Sequence, residues 1–369
     1  MHPMSRRLAI VNTESSLGWG GQELRILSEA QGLIGRGHAV TLLCPAEARI
    51  HAEAPAFGVP VQALPIARKR VRGLRALIDW FRNNRYDVLN THSSTDSWLG
   101  ALAMLTLGRP LPIVRTRHIS ARVPRNAMSR WLYGRAALRI VTTGEALRRR
   151  LIEDNGLPAA KIDSVPTGID TERFSPGERG VARAALGLPA DRPLVGIVAT
   201  LRSWKGHRYL VEAFAGLPGE PGLVIVGDGP QRAALEALVT ACGLKHRVWM
   251  PGNQTDVLPW LRSLDVFALP SYANEGVPQA LVQAMLAGLP SVTTHAGSIA
   301  ELATHESTAL VVAPRDPVAL RAALARLLGD AGLRERLGGA ARAHCAAHFS
   351  REHMLDRMEA IYADVSASG

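Results

Sequence analysis

The stretch from Leu8 to Cys44 reads LAIVNTESSLGWGGQELRILSEAQGLIGRGHAVTLLC. Two short apolar runs, Leu8–Asn12 and Ala39–Cys44, have the length of buried strands. Between them lie a glycine-rich turn, GWGG, and an amphipathic pattern over Gln22–Ile34 that predicts a helix. A strand, a helix and a second strand in this order predict one βαβ unit with parallel strands.

The same alternation continues along most of the chain and indicates parallel sheets flanked by helices. Further strands are predicted at Val88–Thr91, Ile113–Arg117, Arg139–Thr142, Ile162–Val165, Leu194–Ala199, Gly222–Val226, Val248–Pro251, Val266–Leu269, Ser291–Thr294 and Ala309–Val312. The polar stretch 175–180, SPGERG, is typical of a linker, and 369 residues exceed what one core usually organises. We therefore predict two facing, doubly wound α/β domains, residues 1–168 and 169–347, with a last helix at about 348–369 packing back on the first.

The composition is that of a folded protein from a reducing compartment. Hydrophobic residues make up 47% of the chain and charged residues 20%, which is too apolar for a disordered protein. Cys44, Cys242 and Cys345 have no close spacing, so neither a disulfide framework nor a Cys-ligated metal site is supported. The first apolar run is too short for a signal peptide, and the most apolar stretch, Trp98–Gly108, is too short to cross a bilayer and predicts a buried helix. We expect a cytoplasmic protein.

The positive charge lies in the first half of the chain. Residues 1–168 contain 24 Lys and Arg against 12 Asp and Glu, whereas the rest contains 19 against 20. The segment 68–85, RKRVRGLRALIDWFRNNR, has seven basic side chains on a helical pattern whose apolar positions share one face. Three interpretations stay open for it: a core-facing helix with a solvated basic face, an interfacial helix on an anionic membrane, or a nucleic-acid contact. No nucleic-acid-binding motif accompanies the charge, so nucleic acid is not an expected partner.

The segment 270–290, PSYANEGVPQALVQAMLAGLP, is the strongest local signal for a binding site. It leads from the end of a predicted strand through a polar loop into a helix, at the edge of the sheet where open α/β proteins bind ligands. Pro278 suits the first helical turn, so the free N–H groups of Gln279 and Ala280 are predicted to attract phosphate. Glu275 precedes this helix, where a carboxylate can address sugar hydroxyls or developing positive charge. The alternative for Glu275 is a helix cap.

Two stretches carry a family resemblance that extends over nearly the whole chain. EGVPQALVQAMLAGLP, from Glu275, and VGIVATLRSWKGHRYLVEAF, around Lys205, resemble retaining two-domain glycosyltransferases of the GT-B fold, family 4, similar to bacterial lipopolysaccharide and polysaccharide glycosyltransferases. Gln283 stands where the family has its second Glu, and Thr200 stands where the family has an Arg. Gln283 can still form a hydrogen bond with a ribose, and Arg202 is the nearest substitute for the missing Arg.

The resemblance implies a role for each matching residue. It implies that Glu275 and His118 act at the donor sugar and that Lys205 stabilises the departing diphosphate. His92, which also follows a predicted strand, resembles a residue nearer the acceptor. The implied donor-binding residues are Gly20, Gly21, Arg202, Lys205, Gly227, Asn253, Gly276, Val277, Gln279, Ala280 and Gln283. Gly20, Gly21, Gly227 and Asn253 could equally belong to simple turns.

The predicted function is retaining, metal-independent transfer of a sugar from a nucleotide sugar, with a UDP-sugar as the expected donor. The expected acceptor is a cell-envelope glycan or glycolipid such as lipopolysaccharide. No Asp-x-Asp motif occurs in the chain, and no cofactor or metal is expected. Two alternatives stay open: a non-catalytic protein that binds sugar nucleotides, and an NAD-dependent oxidoreductase. The oxidoreductase fits poorly, because GWGG replaces Gly-x-Gly-x-x-Gly and Cys44 ends the second strand in place of an acidic residue.

Overall fold

The computed structural model describes residues 6–118 and 122–367. The chain divides into two compact units, one of Met1–Gly168 together with Arg351–Gly369, and one of Ile169–Ser350. Each unit has a parallel sheet with helices packed against it. The prediction of two α/β domains with parallel sheets is therefore confirmed.

The described part of the first unit has seven parallel strands, in the order β3-β2-β1-β4-β5-β6-β7. They are β1 Ala9–Thr13, β2 Ala39–Cys44, β3 Val61–Ala63, β4 Val88–Thr91, β5 Ile113–Arg117, β6 Arg139–Thr142 and β7 Ile162–Ser164. The helices along this part are α1 Gly21–Gly35, α2 Arg49–Glu53, α3 Val71–Asn83, α4 Ser94–Met104, α5 Ala127–Trp131 and α6 Glu145–Glu153, with 3-10 turns at Ala54–Phe57 and Ala159–Lys161 and a π turn at Leu132–Ala136. The order reverses direction between β1 and β4.

Successive residues of β1 point into two separate cores. Ile10 is fully buried on the face that α1 covers, and Val11 is fully buried on the face that α3 and α4 cover. Because side chains alternate along a strand, helices on both faces require apolar residues at consecutive positions. The uninterrupted apolar runs of the sequence reflect this burial on both sides.

The second unit has six parallel strands among its described residues, in the order β10-β9-β8-β11-β12-β13. They are β8 Leu194–Val198, β9 Gly222–Val226, β10 Val248–Gly252, β11 Val266–Leu269, β12 Ser291–Thr293 and β13 Leu310–Val311. The helices are α7 Arg179–Leu186, α8 His207–Ala215, α9 Arg232–Ala241, α10 Leu258–Arg262, α11 Gln279–Leu286, α12 Pro317–Gly329 and α13 Ala331–His348, with 3-10 turns at Ser203–Lys205, Lys245–Arg247 and Gly297–Glu301. The order reverses between β8 and β11.

The last helix, α14 Arg351–Ala367, belongs to the first unit. Its buried Tyr362 accepts a hydrogen bond from Asn90 Nδ2 (2.7 Å) and donates one to Glu29 Oε1 (2.8 Å). Glu29 also pairs with Arg25 (3.4 Å), and both of these charged side chains are almost fully buried. Because a buried charge is costly unless it is paired, α14 is required to complete this polar cluster.

Two predictions about the chain need correction. The stretch 175–180 is not a linker between the units, because it lies within the second unit, where the Ser175 carbonyl accepts a hydrogen bond from Arg262 Nε (3.0 Å). The strand Val61–Ala63 was not predicted. It has three residues and no fully buried one, so the pattern that identifies the other strands is missing.

Candidate active site

Both sheets place polar loops at the carboxyl ends of the strands where the strand order reverses. In the first unit these loops follow β1 and β4, and in the second they follow β8 and β11. Adjacent loops diverge at such a reversal and leave room for a ligand. Most of the residues predicted from sequence lie in or next to these loops, in one group for each unit.

The second unit joins the two strongest predictions directly. Lys205 ends the 3-10 turn after β8, and Glu275 lies in the loop after β11. Lys205 Nζ contacts Glu275 Oε1 at 2.7 Å and Oε2 at 3.0 Å. Ser271 Oγ donates a further hydrogen bond to Glu275 Oε1 (2.6 Å). Glu275 is only 5% exposed, and these partners offset the cost of burying its carboxylate.

Glycines hold these two loops against their neighbours. Gly206 has φ +78°, and a Cβ there would overlap the carbonyl of Pro270. Gly297 has φ +59°, and a Cβ there would overlap the carbonyl of Glu275 itself. Only glycine combines a left-handed backbone with so close an approach. Sequence reasoning missed Ser271 and Gly297, since their roles depend on contacts between separate loops.

The loop after Glu275 leads into a helix, α11, as predicted from the sequence, but Pro278 lies one residue before the first helical turn in which it was predicted. Pro278 is the N-cap residue, with φ −73° and ψ 115°, and the helix begins at Gln279. Gly276, Gln279, Ala280 and Gln283 are partly exposed, whereas Val277 is buried. The helix α11 therefore begins shortly after Glu275, where its backbone N–H groups suit an anion.

The remaining donor-side residues lie at the ends of neighbouring strands. Gly227 follows β9 with φ +133°, and its N–H donates a hydrogen bond to the Gly252 carbonyl (2.9 Å). Asn253 comes next along the chain after β10 and is exposed. The Arg202 guanidinium lies over the Trp204 ring at 5.8 Å. Their roles toward a nucleotide stay predictions.

In the first unit, the two predicted histidines contact each other. His92 Nδ1 lies 2.9 Å from His118 Nε2, and His92 Nε2 lies 3.2 Å from Asn12 Oδ1. Burial lowers the pKa of both imidazoles well below the usual histidine value, and the cations Arg25 and Arg115 lower it further. Both rings are therefore neutral at neutral pH.

Asp96 fixes the backbone around His92. It lies in the first turn of α4, completes a capping box with Ser93, and accepts hydrogen bonds from the N–H groups of His92 and Ser93, each at 2.9 Å. The hydroxyls of Thr13 (3.0 Å) and Ser15 (3.2 Å) also donate to it. Burial raises the pKa of Asp96 to about 6 even though Arg115 opposes the shift. Sequence reasoning missed Asp96.

Glu14 is the second carboxylate that sequence reasoning missed. It is fully buried after β1 and accepts hydrogen bonds from Ser16 N (2.7 Å), Ser93 Oγ (2.5 Å) and Gln22 Nε2. Burial, with the nearby charge of Asp96, raises the pKa of Glu14 to about 7. Glu14 thus ties together the two loops at the strand reversal. A polar residue directly after a strand was the signal available in the sequence.

Gly20 and Gly21 mark the beginning of α1. Gly20 is the N-cap residue and has φ 179°, an extended backbone that any residue adopts. A Cβ at Gly20 would meet only Glu23 Oε2, at 3.9 Å. Packing among the described residues therefore does not require glycine here, and the approach of this turn to a phosphate or sugar stays a prediction.

The basic segment 68–85 contains α3, whose apolar side packs into the core of the first unit. Leu77 and Phe81 are buried in a core of the first unit, and Leu74, Ile78 and Trp80 pack against it. All seven basic side chains of the segment are exposed. Of the three interpretations, the core-facing helix with a solvated basic face describes the packing.

The described residues contain neither a membrane-spanning helix nor a cluster of metal ligands. No helix within 6–118 and 122–367 is long and apolar enough to span a bilayer. The same residues contain no group of three or more His, Cys, Asp or Glu arranged to hold a metal ion.

Known families and proteins match the chain along most of its length. The family "Glycosyltransferase Family 4" matches residues 19–173, and "Glycosyl transferases group 1" matches residues 178–344. A D-inositol 3-phosphate glycosyltransferase of Xylanimonas cellulosilytica is 32% identical over 76% of this chain and 72% of its own length. A protein with the same name from Nocardia farcinica is 30% identical over 73% of this chain and 65% of its own length.

Solved glycosyltransferases share the fold. A glycosyltransferase from Rickettsia africae aligns with a TM-score of 0.89 at 18% identity, over 99% of this chain and 100% of that one. Anabaena HepE in complex with UDP-glucose aligns with a TM-score of 0.85 at 21% identity, over 98% of this chain and 100% of that one. The oxidoreductase alternative is thereby set aside. The chain belongs to the family 4 glycosyltransferases, and it is a glycosyltransferase built from the two parallel-sheet domains of the GT-B fold.

Proposed function

We propose that this glycosyltransferase moves a sugar from a UDP-sugar, with retention of anomeric configuration and without a metal ion, onto a cell-envelope glycan or glycolipid. The second unit binds the donor and the first unit binds the acceptor. The observation that carries the proposal is the Lys205–Glu275 pair beside the beginning of α11. UDP-glucose in the HepE complex supports the choice of donor.

Lys205 and α11 suit the departing diphosphate. An ammonium group has three donors, and Glu275 engages Lys205 through both carboxylate oxygens. Glu275 thereby aims Lys205, which neutralises the negative charge that grows as the glycosidic bond breaks. The backbone N–H groups at the beginning of α11 add a second anion-binding element, and Gln283 one turn later forms a hydrogen bond with the ribose.

Retention follows from transfer on one face of the sugar. The bond between C1 and the phosphate oxygen breaks, the bond between C1 and the acceptor oxygen forms on the same face, and the acceptor proton passes to the departing phosphate. Lys205 supplies the positive charge that a divalent cation supplies in metal-dependent transferases. We expect activity to survive EDTA and the product to keep the donor's anomeric configuration by NMR. Loss on chelation with recovery on Mg²⁺ or Mn²⁺ would contradict the metal-free mechanism.

Thermal shift with UDP and uridine tests the donor site, because a ligand that binds only the native state raises Tm. In the wild type, UDP should raise Tm more than uridine, GDP or ADP does. Lys205→Ala should weaken UDP binding by about 1.5 to 3 kcal/mol and leave uridine binding nearly unchanged. Lys245→Ala removes an exposed lysine of the same unit and is the control. Equal losses for UDP and uridine in Lys205→Ala would exclude the phosphate role.

The charge of the first unit supports an anionic acceptor at a membrane surface. Because α3 buries its apolar side, attachment would be electrostatic, through Arg68, Lys69, Arg70 and Arg72 with their exposed basic neighbours. Each basic residue near an anionic leaflet contributes about 1 kcal/mol. The enzyme is thus proposed to act on the cytoplasmic face of the membrane, where lipopolysaccharide core is one acceptor of this kind.

Co-sedimentation with anionic and zwitterionic liposomes tests this attachment. Changing Arg68, Lys69, Arg70 and Arg72 to Gln should abolish binding to anionic vesicles, and salt should release the wild type. Changing Arg208, Lys245, Arg336 and Arg342, all exposed on the second unit, removes the same charge as a control. Equal losses for both sets, or no preference for anionic lipid, would contradict the membrane assignment.

The two related glycosyltransferases favour a second acceptor. Both are D-inositol 3-phosphate glycosyltransferases, and a phosphorylated polyol would also suit a basic unit. Transfer from a UDP-sugar onto D-inositol 3-phosphate, assayed beside transfer onto a lipid-linked glycan, decides between the two.

A further inference from the structure

Asn12, His92 and His118 form a hydrogen-bonded row across three adjacent strands of the first sheet. Asn12 lies in β1, His92 directly follows β4, and His118 directly follows β5. The row runs from Asn12 Oδ1 to His92 Nε2 at 3.2 Å and from His92 Nδ1 to His118 Nε2 at 2.9 Å. Asn12 is 1% exposed and His92 is 3% exposed, so water does not compete for these atoms.

The neutrality of both rings restricts where their protons can be. A neutral imidazole has one N–H donor and one bare acceptor nitrogen. Because Asn12 presents its oxygen, His92 carries its proton on Nε2, and its Nδ1 must accept. The bond between the rings then requires the proton of His118 on Nε2. The bare nitrogen of His118 is therefore Nδ1.

We infer that Asn12 and His92 are positioning residues that fix the tautomer of His118, so that His118 presents Nδ1 as a hydrogen-bond acceptor. Among the described residues, Nδ1 of His118 has no hydrogen-bond partner. A group that meets it must donate, and the hydroxyls of a sugar or a polyol do so. This inference deepens the proposed function and rests on it for the identity of the ligand.

The tautomer of His118 determines which ligand groups it can bind. A site built to pair with a hydroxyl rejects an analogue that lacks this donor far more strongly than an apolar site does. If the row were reversed, with the Asn12 amide donating, His118 would present an N–H and would favour a carbonyl or ether oxygen. The polarity of the whole row is thus decided at Asn12, which is remote from the nitrogen that meets the ligand.

Nitrogen NMR on the full chain labelled with ¹⁵N-histidine reads the tautomer directly. His92→Gln and His118→Gln assign the two resonances. In the wild type at pH 7.5, we expect both rings to carry the proton on Nε2. Asn12→Asp keeps an acceptor oxygen and should keep the His118 tautomer, whereas Asn12→Leu removes it and should give a mixture. Thr143→Val, which removes a contact to the His118 carbonyl (3.4 Å) outside the row, is the control and should leave the tautomer unchanged.

A proton on Nδ1 of His118 in the wild type would overturn the inference, and so would an unchanged tautomer in Asn12→Leu. The wild-type spectrum tests the inference even if Asn12→Leu does not fold. Because the readout requires no nucleotide sugar, its failure is distinguishable from the absence of a UDP-induced rise in Tm. In activity, Asn12→Leu should lower kcat/KM at least about tenfold, and Asn12→Asp should retain more of it.

Discussion

The two strand reversals of this glycosyltransferase differ in the charge of the side chains predicted to bind ligands. At the reversal of the second unit, the buried carboxylate of Glu275 is balanced by the opposite charge of Lys205. At the reversal of the first unit, His92 and His118 are neutral, and Glu14 is held by hydroxyl, amide and backbone donors. A fixed cation suits a phosphate that gains charge, whereas neutral acceptors suit hydroxyl groups. We therefore expect the two reversals to recognise different chemical groups.

The charged reversal should respond most strongly to loss of its charge. Glu275→Gln keeps the shape of the side chain but removes the anion that holds Lys205, and Glu275→Ala removes the Ser271 contact as well. We expect turnover to fall at least about tenfold, equivalent to about 1.4 kcal/mol, with more loss in Ala than in Gln. Steady-state rates measure it. Glu212→Gln, which breaks the α8 surface pair with Arg208, is the control and should keep its rate.

Wild-type turnover in Glu275→Gln would mean that the charge of Glu275 is dispensable. The contrast between a charged and a neutral reversal would then carry no functional meaning.

A smaller effect should follow from crowding the same loop. Gly297→Ala combines a left-handed backbone with overlap on the Glu275 carbonyl, whereas Gly243→Ala has a similar φ of +69° and open space. The conformational cost of either change is about 1 to 2 kcal/mol, and only Gly297→Ala adds the displacement of the Glu275 loop. Thermal unfolding and turnover should therefore separate the variants. Equal losses of stability with unchanged turnover would show that Glu275 does not depend on this contact.

The neutral reversal should show itself in the dependence of stability on pH. The pKa of Glu14 is raised from 4.5 to about 7, so its protonated form contributes stability that is fully present below about 4.5 and is lost as the pH rises through 7. Glu14→Gln should remove this dependence. The free energy of unfolding of the variant, relative to that of the wild type, should therefore rise between pH 5 and 8. Denaturant unfolding across this range measures it.

Glu47→Gln, which changes an exposed carboxylate of the same unit, is the control for that measurement. A wild type and a Glu14→Gln variant with parallel pH profiles would show that Glu14 is ionised throughout.

Sequence reasoning succeeded where information is local. Apolar runs predicted most strands within a residue or two, because strands buried on both faces have a continuous pattern. Lys205 and Glu275 stand within short stretches that resemble a family, so they could be identified one loop at a time. Their direct pairing could not be predicted, because it depends on β8 and β11 being neighbours in the sheet.

The residues that were missed depend on sheet order and backbone angle. The pKa values of Glu14 and Asp96 are raised because β1 lies beside β4 and the loops after both strands are buried. Asn12 reads in the sequence as an ordinary end of an apolar run. Gly297 is one of many glycines until its φ of +59° and the nearby Glu275 carbonyl are known. Such features require coordinates, since no spacing in the chain encodes them.

The return of α14 to the first unit has a consequence for synthesis on the ribosome. The second unit is continuous from Ile169 to Ser350, so all of it has been translated before Arg351–Ala367 exists. Until then, Glu29 lacks its Tyr362 partner, and Arg36 lacks the acidic groups of α14, among them Glu352 at 2.6 Å. Nascent chains usually complete their N-terminal domain first. Here the part translated first is completed last, because its buried polar cluster must wait for Tyr362 in the final helix.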